Sequence, residues 1–198
     1  PNYEALYHYF SFKNCPAPLT AFDNVFQVRP GELLVYQAGR IRTNRWWKID
    51  PLKTALPSKD ATQQLRTLLE DSVRLQSSAD VEVGAYLSGG VDSSSIVALM
   101  SQNASRRLKT FTMVYEESFD RKNHDRQSAL EIAKRYQTDH YEYVMTEQAF
   151  WADLDNIVET FDEPFSGVTS TYFLTRLISK HVKVALSGDG ADELFGSF

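Results

Sequence analysis

Two segments of this 198-residue chain bring together residue types that handle phosphate. The first is Leu87-Ser88-Gly89-Gly90-Val91-Asp92-Ser93-Ser94-Ser95. Adjacent glycines permit a tight turn and let backbone N–H groups approach a bulky anion. A helix starting there would aim its positive dipole end at the same point. The hydroxyls of Ser88, Ser93 and Ser94 can donate to phosphate oxygens. Asp92 would repel a bare phosphate, so its presence suggests a bridging Mg²⁺. The second segment is Leu186-Ser187-Gly188-Asp189-Gly190-Ala191-Asp192-Glu193-Leu194-Phe195-Gly196. Its acidic side chains, Asp189, Asp192 and Glu193, would repel one another without a compensating cation. The bland alternatives are a helix-capping turn and a solvated acidic loop. Other phosphate loops fit badly: a Walker A loop needs Lys where Val91 stands, and a dinucleotide fingerprint needs a third glycine.

The elements around these segments alternate. Ala61, Leu65, Leu68, Leu69 and Val73 follow helical spacing, with Ser58 or Asp60 as cap. Val81–Leu87 reads as a buried strand, Ser93–Gln102 as a helix, and Leu108–Tyr115 as a second strand. Ala129, Ile132, Ala133 and Tyr136 mark a helix, followed by a strand at Tyr141–Met145. Phe150, Leu154, Ile157, Val158 and Phe161 mark an amphipathic core helix. Phe173, Leu174, Leu177 and Ile178 mark another, capped by Ser170, before a strand at Val182–Leu186. This alternation predicts an α/β fold, a doubly wound and mostly parallel sheet with helices on both faces. Such sheets bind ligands at the carboxyl ends of their strands, where both glycine-rich segments fall. Residues 1–57 differ in texture, with strand-like pieces at Gly31–Tyr36 and Arg40–Trp47. A linker at Asp50–Lys59 separates them from a second domain at 58–198.

Net charge is −5, and Lys and Arg are scattered, which argues against a nucleic-acid partner. Cys15 is the single cysteine and can form no internal disulfide, as expected of a cytoplasmic protein. No stretch approaches the roughly 18–20 apolar residues of a membrane helix. Opening at Pro1 and stopping at Phe198, the chain reads as a fragment of a longer one.

Ser88-Gly89-Gly90-Val91-Asp92-Ser93 resembles the pyrophosphate loop of the N-type ATP pyrophosphatases, which cut ATP between its α- and β-phosphates. The second segment resembles the corresponding loop of the asparagine synthetase B (glutamine-hydrolysing) family. Leu108-Lys109-Thr110-Phe111-Thr112-Met113 resembles that family's strand against adenine. Asp125 through Thr138, with His140 and Glu142, resembles its next helix and strand. Asp162-Glu163-Pro164-Phe165 resembles an active-site segment. Pro30-Gly31-Glu32-Leu33-Leu34 with Trp46-Trp47 resembles the end of its glutaminase domain, so residues 1–57 would be a remnant of that domain.

The resemblance implies an adenine nucleotide α-hydrolase-like fold and a ligase that adenylates an aspartate-like carboxylate with ATP. Glutamine-derived ammonia would complete the amide in the full-length parent. Leu87, Met113, Ser187 and Gly188 would contact the nucleotide, while Ser88, Gly89, Gly90 and Ser93 would cradle pyrophosphate. Asp92 and Asp192 would hold Mg²⁺. Asp189, where relatives often carry Glu, would sit near the acyl-adenylate as a proton acceptor. Asp125 matches an acidic position but equally suits a helix start.

Two departures qualify this. The family's glutaminase nucleophile is an N-terminal cysteine, whereas the chain starts with Pro1, and Cys15 reads as inert. The family's transition-state lysine lies beyond the acidic loop, and no lysine here matches it. His8, His124, His140 and His181 lack metal-ligand spacing and read as surface or packing residues. Trp46 and Trp47 are expected to pack at the domain junction. Apolar surface around Tyr7–Phe12 and Trp46–Trp47 would favour homo-oligomers. The alternatives are a β-lactam synthetase or lasso-peptide cyclase-like ligase, with an internal amine as acceptor, and a non-catalytic nucleotide-binding module.

Overall fold

The computed structural model describes residues 1–49, 57–116, 123–161 and 167–196. Backbone contacts divide the chain into two units, residues 1–55 with 155–168, and residues 56–154 with 169–198. The segment Asp162–Phe165 and most of the predicted linker lie outside the described residues.

The first unit opens with helix α1 (Tyr3–Phe12), which the sequence reading did not anticipate. Its aromatic residues carry no clear apolar stripe, and its ends are set locally. The Asn2 side chain accepts the Ala5 N–H at 3.2 Å, and Lys13 stops the helix in a left-handed conformation. Ala5 is buried, and the buried Cys15 Sγ contacts its carbonyl, consistent with an inert thiol. Strands β1 (Glu32–Gln37) and β2 (Arg40–Arg45) form an antiparallel hairpin. Its two turn residues, Ala38 and Gly39, both have positive φ, the turn that matches strand twist. Trp46 and Trp47 are 68% and 52% exposed, the apolar surface expected there. Tyr7, Phe10 and Phe12 are also exposed, as expected.

The second unit runs α2 (Ser58–Gln76), β3 (Val83–Tyr86), α3 (Val91–Asn103), β4 (Lys109–Tyr115), α4 (Asn123–Tyr136), β5 (Asp139–Met145), α5 (Glu147–Thr160), α6 (Val168–Ile178), β6 (Val184–Leu186) and α7 (Ala191–Phe195). The last six residues of α5 group with the first unit. The sheet is parallel throughout, in the order β5-β4-β3-β6. Strands β3, β4 and β5 step outward in one direction, and the chain then returns to place β6 on the other side of β3. That reversal opens a crevice at the carboxyl ends of β3 and β6.

Each face of the sheet has its own core. Ala85 and Leu87 pack with Val73 of α2, Val97 and Met100 of α3, and Ala129 and Ala133 of α4. On the opposite face, Phe111 packs with Ile178 and Val182, joined by Tyr86, Tyr141 and Leu174. Successive strand residues serve opposite faces, as the pleat requires. Gly84 leaves room for the fully buried Phe111, since a Cβ there would lie 2.8 Å from the ring.

Several local expectations change. Pro57 occupies the cap position of α2 without a side-chain bond, and Ser58 and Asp60 lie inside the helix. Helix α3 begins at Val91, before the expected Ser93, because Gly90 is its cap. Ser170 lies inside α6. Strand β3 is shorter than Val81–Leu87, and β6 shorter than Val182–Leu186. In α5 only Ile157 is fully buried; Val158 is 65% exposed and Phe161 lies past the helix, so this element is less of a core helix than its pattern suggests.

Candidate active site

Strand β3 ends where its neighbour stops pairing with it. Leu87 N–H donates to the Phe111 carbonyl at 2.9 Å, and the chain then turns through Ser88-Gly89-Gly90 into α3. Gly89 has φ +85°, and a Cβ there would stand 2.6 Å from the Asp125 carbonyl oxygen and 2.8 Å from Ala129 N. Only glycine combines that conformation with so close an approach to the first turn of α4. Gly90 is extended and offers no side-chain cap, so the first N–H groups of α3 are left to a ligand or solvent.

Ser93 holds this turn in shape. Its Oγ accepts from Ser88 N–H at 3.1 Å, lies 2.9 Å from Ser88 Oγ, and donates to the Gly90 carbonyl at 3.3 Å. Gly90 N–H donates in turn to Ser88 Oγ at 3.3 Å. The Ser94 Oγ is buried, with no hydrogen-bond partner among the described residues.

The second loop leaves β6 beside the first. A Cβ on Gly188 would lie 2.8 Å from Ser93 N and 2.9 Å from Asp92 Cβ, so the acidic loop rests on the first turn of α3. Asp189 N–H points to Ser187 Oγ at 3.5 Å, and Gly190, with φ +94°, turns the chain into α7.

The two loops border one cleft of about 550 Å³. Leu87, Ser88, Asp92 and Ser93 line it from the first loop, and Ser187, Gly188, Asp189 and Asp192 from the second. Met113 lines it from β4. Gly89, Gly90 and Ser94 do not line it; the two glycines shape the turn behind it. Asp125 and Glu193 add further carboxylates, and Tyr86 and Phe111 from the sheet with Ser170 and Leu174 from α6 form a further wall. The sequence reading missed that wall, because finding it requires knowing which strand residues face α6.

Among the described residues, no group of three His, Cys, Asp or Glu side chains is assembled to hold a metal ion. Asp92 and Asp192 nevertheless present hard oxygen donors to one cleft. That donor set fits a Mg²⁺ that keeps water and phosphate oxygens in its remaining positions. The open helix end and the glycine turn fit the phosphate that would share the ion.

Behind the cleft, Thr110 Oγ1 lies 2.8 Å from Thr138 Oγ1 and 2.9 Å from His140 Nδ1, between α4 and the sheet. Burial lowers the His140 pKa below its ordinary value, opposed by Glu142. His181 stacks on Tyr141, 3.9 Å between ring centroids. Both histidines serve packing, as their spacing suggested.

The sequence model described as asparagine synthase matches residues 64–198. The chain is 31% identical over 203 residues to a putative glutamine-hydrolysing asparagine synthetase of Methanocaldococcus jannaschii, covering 100% of this chain and 38% of the relative. It is 33% identical over 199 residues to asparagine synthetase 1 of Bacillus subtilis, covering 98% and 31%. It is also 32% identical over 189 residues to asparagine synthetase B of Escherichia coli, covering 85% and 33%. The chain thus spans roughly a third of the length of these relatives. Among solved structures, the NH3-dependent NAD synthetase of Campylobacter jejuni aligns with TM-score 0.45 and 12% identity, covering 72% of this chain and 61% of that one.

Proposed function

The chain belongs to the asparagine synthase family, and on that premise we propose that it carries the ATP·Mg²⁺ site of a ligase that converts aspartate to asparagine. The observation that carries this reading is the contact between the two loops. Gly188 brings the acidic loop onto the uncapped start of α3, so phosphate donors and carboxylates face one cleft.

In this reading the side-chain carboxylate of aspartate attacks the α-phosphorus of ATP. The bond from that phosphorus to the bridging oxygen breaks, and pyrophosphate leaves. Ammonia, derived from glutamine in the full-length protein, then attacks the acyl carbon and AMP departs with the electron pair. Residues 1–57 belong, on the same reading, to the end of the glutaminase domain.

Backbone N–H groups of Val91 and Asp92, at the start of α3, hold the departing pyrophosphate together with Ser88. Ser93 keeps the turn in shape. Leu87, Met113, Ser187 and Gly188 position the nucleoside. Asp92 and Asp192 would hold Mg²⁺, which would supply positive charge against the charge growing on pyrophosphate. Asp189 takes a proton from the incoming amine.

Aspartate-dependent exchange of labelled pyrophosphate into ATP by the full-length protein tests this. Exchange that requires aspartate, and falls by about a hundredfold or more in Asp92→Asn, supports the reading. Exchange driven equally well by other carboxylic acids would overturn the assignment of aspartate.

A further inference from the structure

Strand β4 runs four residues past Phe111, its last partner in β3. In a β-strand, the N–H and C=O of one residue point to the same neighbouring strand, and the next residue's point to the other. The Phe111 carbonyl accepts Leu87 N–H at 2.9 Å, so Phe111 points toward β3. Met113, two residues on, must point the same way. The bond from Asp139 N–H to the Leu108 carbonyl and that from Glu116 N–H to the Met145 carbonyl fix the even-numbered residues toward β5, in agreement.

A continued ladder would send Met113 N–H to the Leu87 carbonyl. Among the described residues that bond does not form; the last backbone link is Leu87 N–H to Phe111. The Leu87 carbonyl instead accepts the hydroxyl of Thr112, a side chain only 3% exposed. A side chain has taken the acceptor that the strand would otherwise use. Met113 N–H and C=O are therefore directed past the end of β3, and Met113, Thr112 and Leu87 all line the cleft.

We infer that Thr112 is a positioning residue for nucleotide recognition. By occupying the Leu87 carbonyl it ends the β3–β4 ladder one bond early and keeps the Met113 backbone available to the base. A backbone N–H beside its own C=O offers one donor and one acceptor in a plane. That pattern matches the ring nitrogen and exocyclic amine of adenine, and it mismatches the corresponding edge of inosine, whose ring nitrogen donates and whose oxygen accepts. This inference rests on the nucleotide reading above, and it goes beyond it by naming the residue that keeps the base-reading groups unpaired.

Thr112→Val keeps the shape and removes the hydroxyl. The Leu87 carbonyl then has Met113 N–H as its nearest backbone partner, and the ladder closes at the expense of the base site. Thr112→Ser restores the hydroxyl. Met113→Pro leaves Thr112 intact and deletes the N–H itself, at a position where the strand makes no bond with that group.

The test is calorimetric binding of ATP·Mg²⁺, ITP·Mg²⁺ and tripolyphosphate·Mg²⁺ to the wild-type protein and the three variants, with circular dichroism to check folding. The wild type is expected to prefer ATP over ITP. Thr112→Val and Met113→Pro should each lose about tenfold in ATP affinity while tripolyphosphate binding changes less than twofold. Thr112→Ser should stay near the wild type. ATP affinity unchanged in folded Thr112→Val overturns the inference. So does an equal loss of ATP and tripolyphosphate, which would give Thr112 a purely structural role. If Thr112→Val fails to fold, Met113→Pro together with an unimpaired Thr112→Ser decides the matter, and an unchanged ATP preference in Met113→Pro overturns it. A wild type that binds tripolyphosphate without preferring ATP overturns the inference alone. One that binds neither removes the nucleotide reading and the inference with it.

Discussion

Gly188 stands so close to Ser93 that a Cβ built on it would lie 2.8 Å from the Ser93 nitrogen, with Asp92 Cβ at 2.9 Å. Two glycine-rich turns, far apart in sequence, are thereby held as one surface. The backbone at Gly188 is not left-handed, so glycine is needed here for space.

Gly188→Ala should push the acidic loop away from α3. The expected cost is about 1–3 kcal/mol of stability, typical of an added methyl in a packed contact. On the proposed Mg²⁺ reading, ATP affinity should fall at least tenfold, because Asp92 and Asp192 would no longer share an ion. Urea unfolding and calorimetric titration of the variant check the two effects separately. An Ala variant with wild-type affinity would show that the contact between the loops is incidental.

Gly89 is constrained in two ways. Its φ of +85° is costly for any residue with a Cβ, and that Cβ would meet the Asp125 carbonyl and the backbone of α4. Gly89→Ala should lose about 1–3 kcal/mol through strain alone. Gly190→Ala, also left-handed but with open space around it, should lose less. Thermal melts of both variants rank them; equal losses would mean that crowding against α4 contributes nothing.

Phe111→Ala should be the most damaging single core change. The ring is fully buried, stacks 5.5 Å from Tyr141 and fills the space above Gly84. Truncation should cost about 3–5 kcal/mol. Denaturant midpoints measure this directly. A loss below about 1 kcal/mol would mean that α6 collapses readily into the void.

His140 gives stability a pH dependence of known sign. Burial holds its pKa below the ordinary 6.5, because its Nε2 is buried with no partner among the described residues. The unfolded chain therefore takes up the proton first as pH falls. Stability from the neutral ring is fully present above pH 6.5 and is lost below it, down through the lowered folded pKa. His140→Gln should show a smaller drop in urea midpoint between pH 7.5 and pH 5 than the wild type. Identical drops would assign the acid sensitivity to carboxylates elsewhere.

Much of the site was legible because glycines and acids at strand ends are local signals. Gly89 and Gly90 announce a turn, and Asp92 beside them asks for a cation. The alternation of strands read at Val81–Leu87, Leu108–Tyr115 and Tyr141–Met145 with helices was enough to place both segments at one edge of a parallel sheet. Helix α1 was not legible, since its start depends on the Asn2 cap and its many aromatic residues suit a strand as readily as a helix. The exposure of Val158 in α5 shows the reverse error: a correct apolar spacing with only Ile157 fully buried. Thr112 could not be found from sequence at all. Its bond to the Leu87 carbonyl depends on the β3–β4 register, which only the folded sheet defines.

The central claim is that Asp92 and Asp192, which line one cleft, hold the metal of an ATP complex. It is tested most directly by calorimetric titration of ATP with and without Mg²⁺ into the wild-type protein and the Asp92→Asn, Asp192→Asn double variant. Binding that needs Mg²⁺ and weakens at least tenfold in a folded double variant is the predicted result. Binding that is unchanged by removing either the ion or both carboxylates would contradict it.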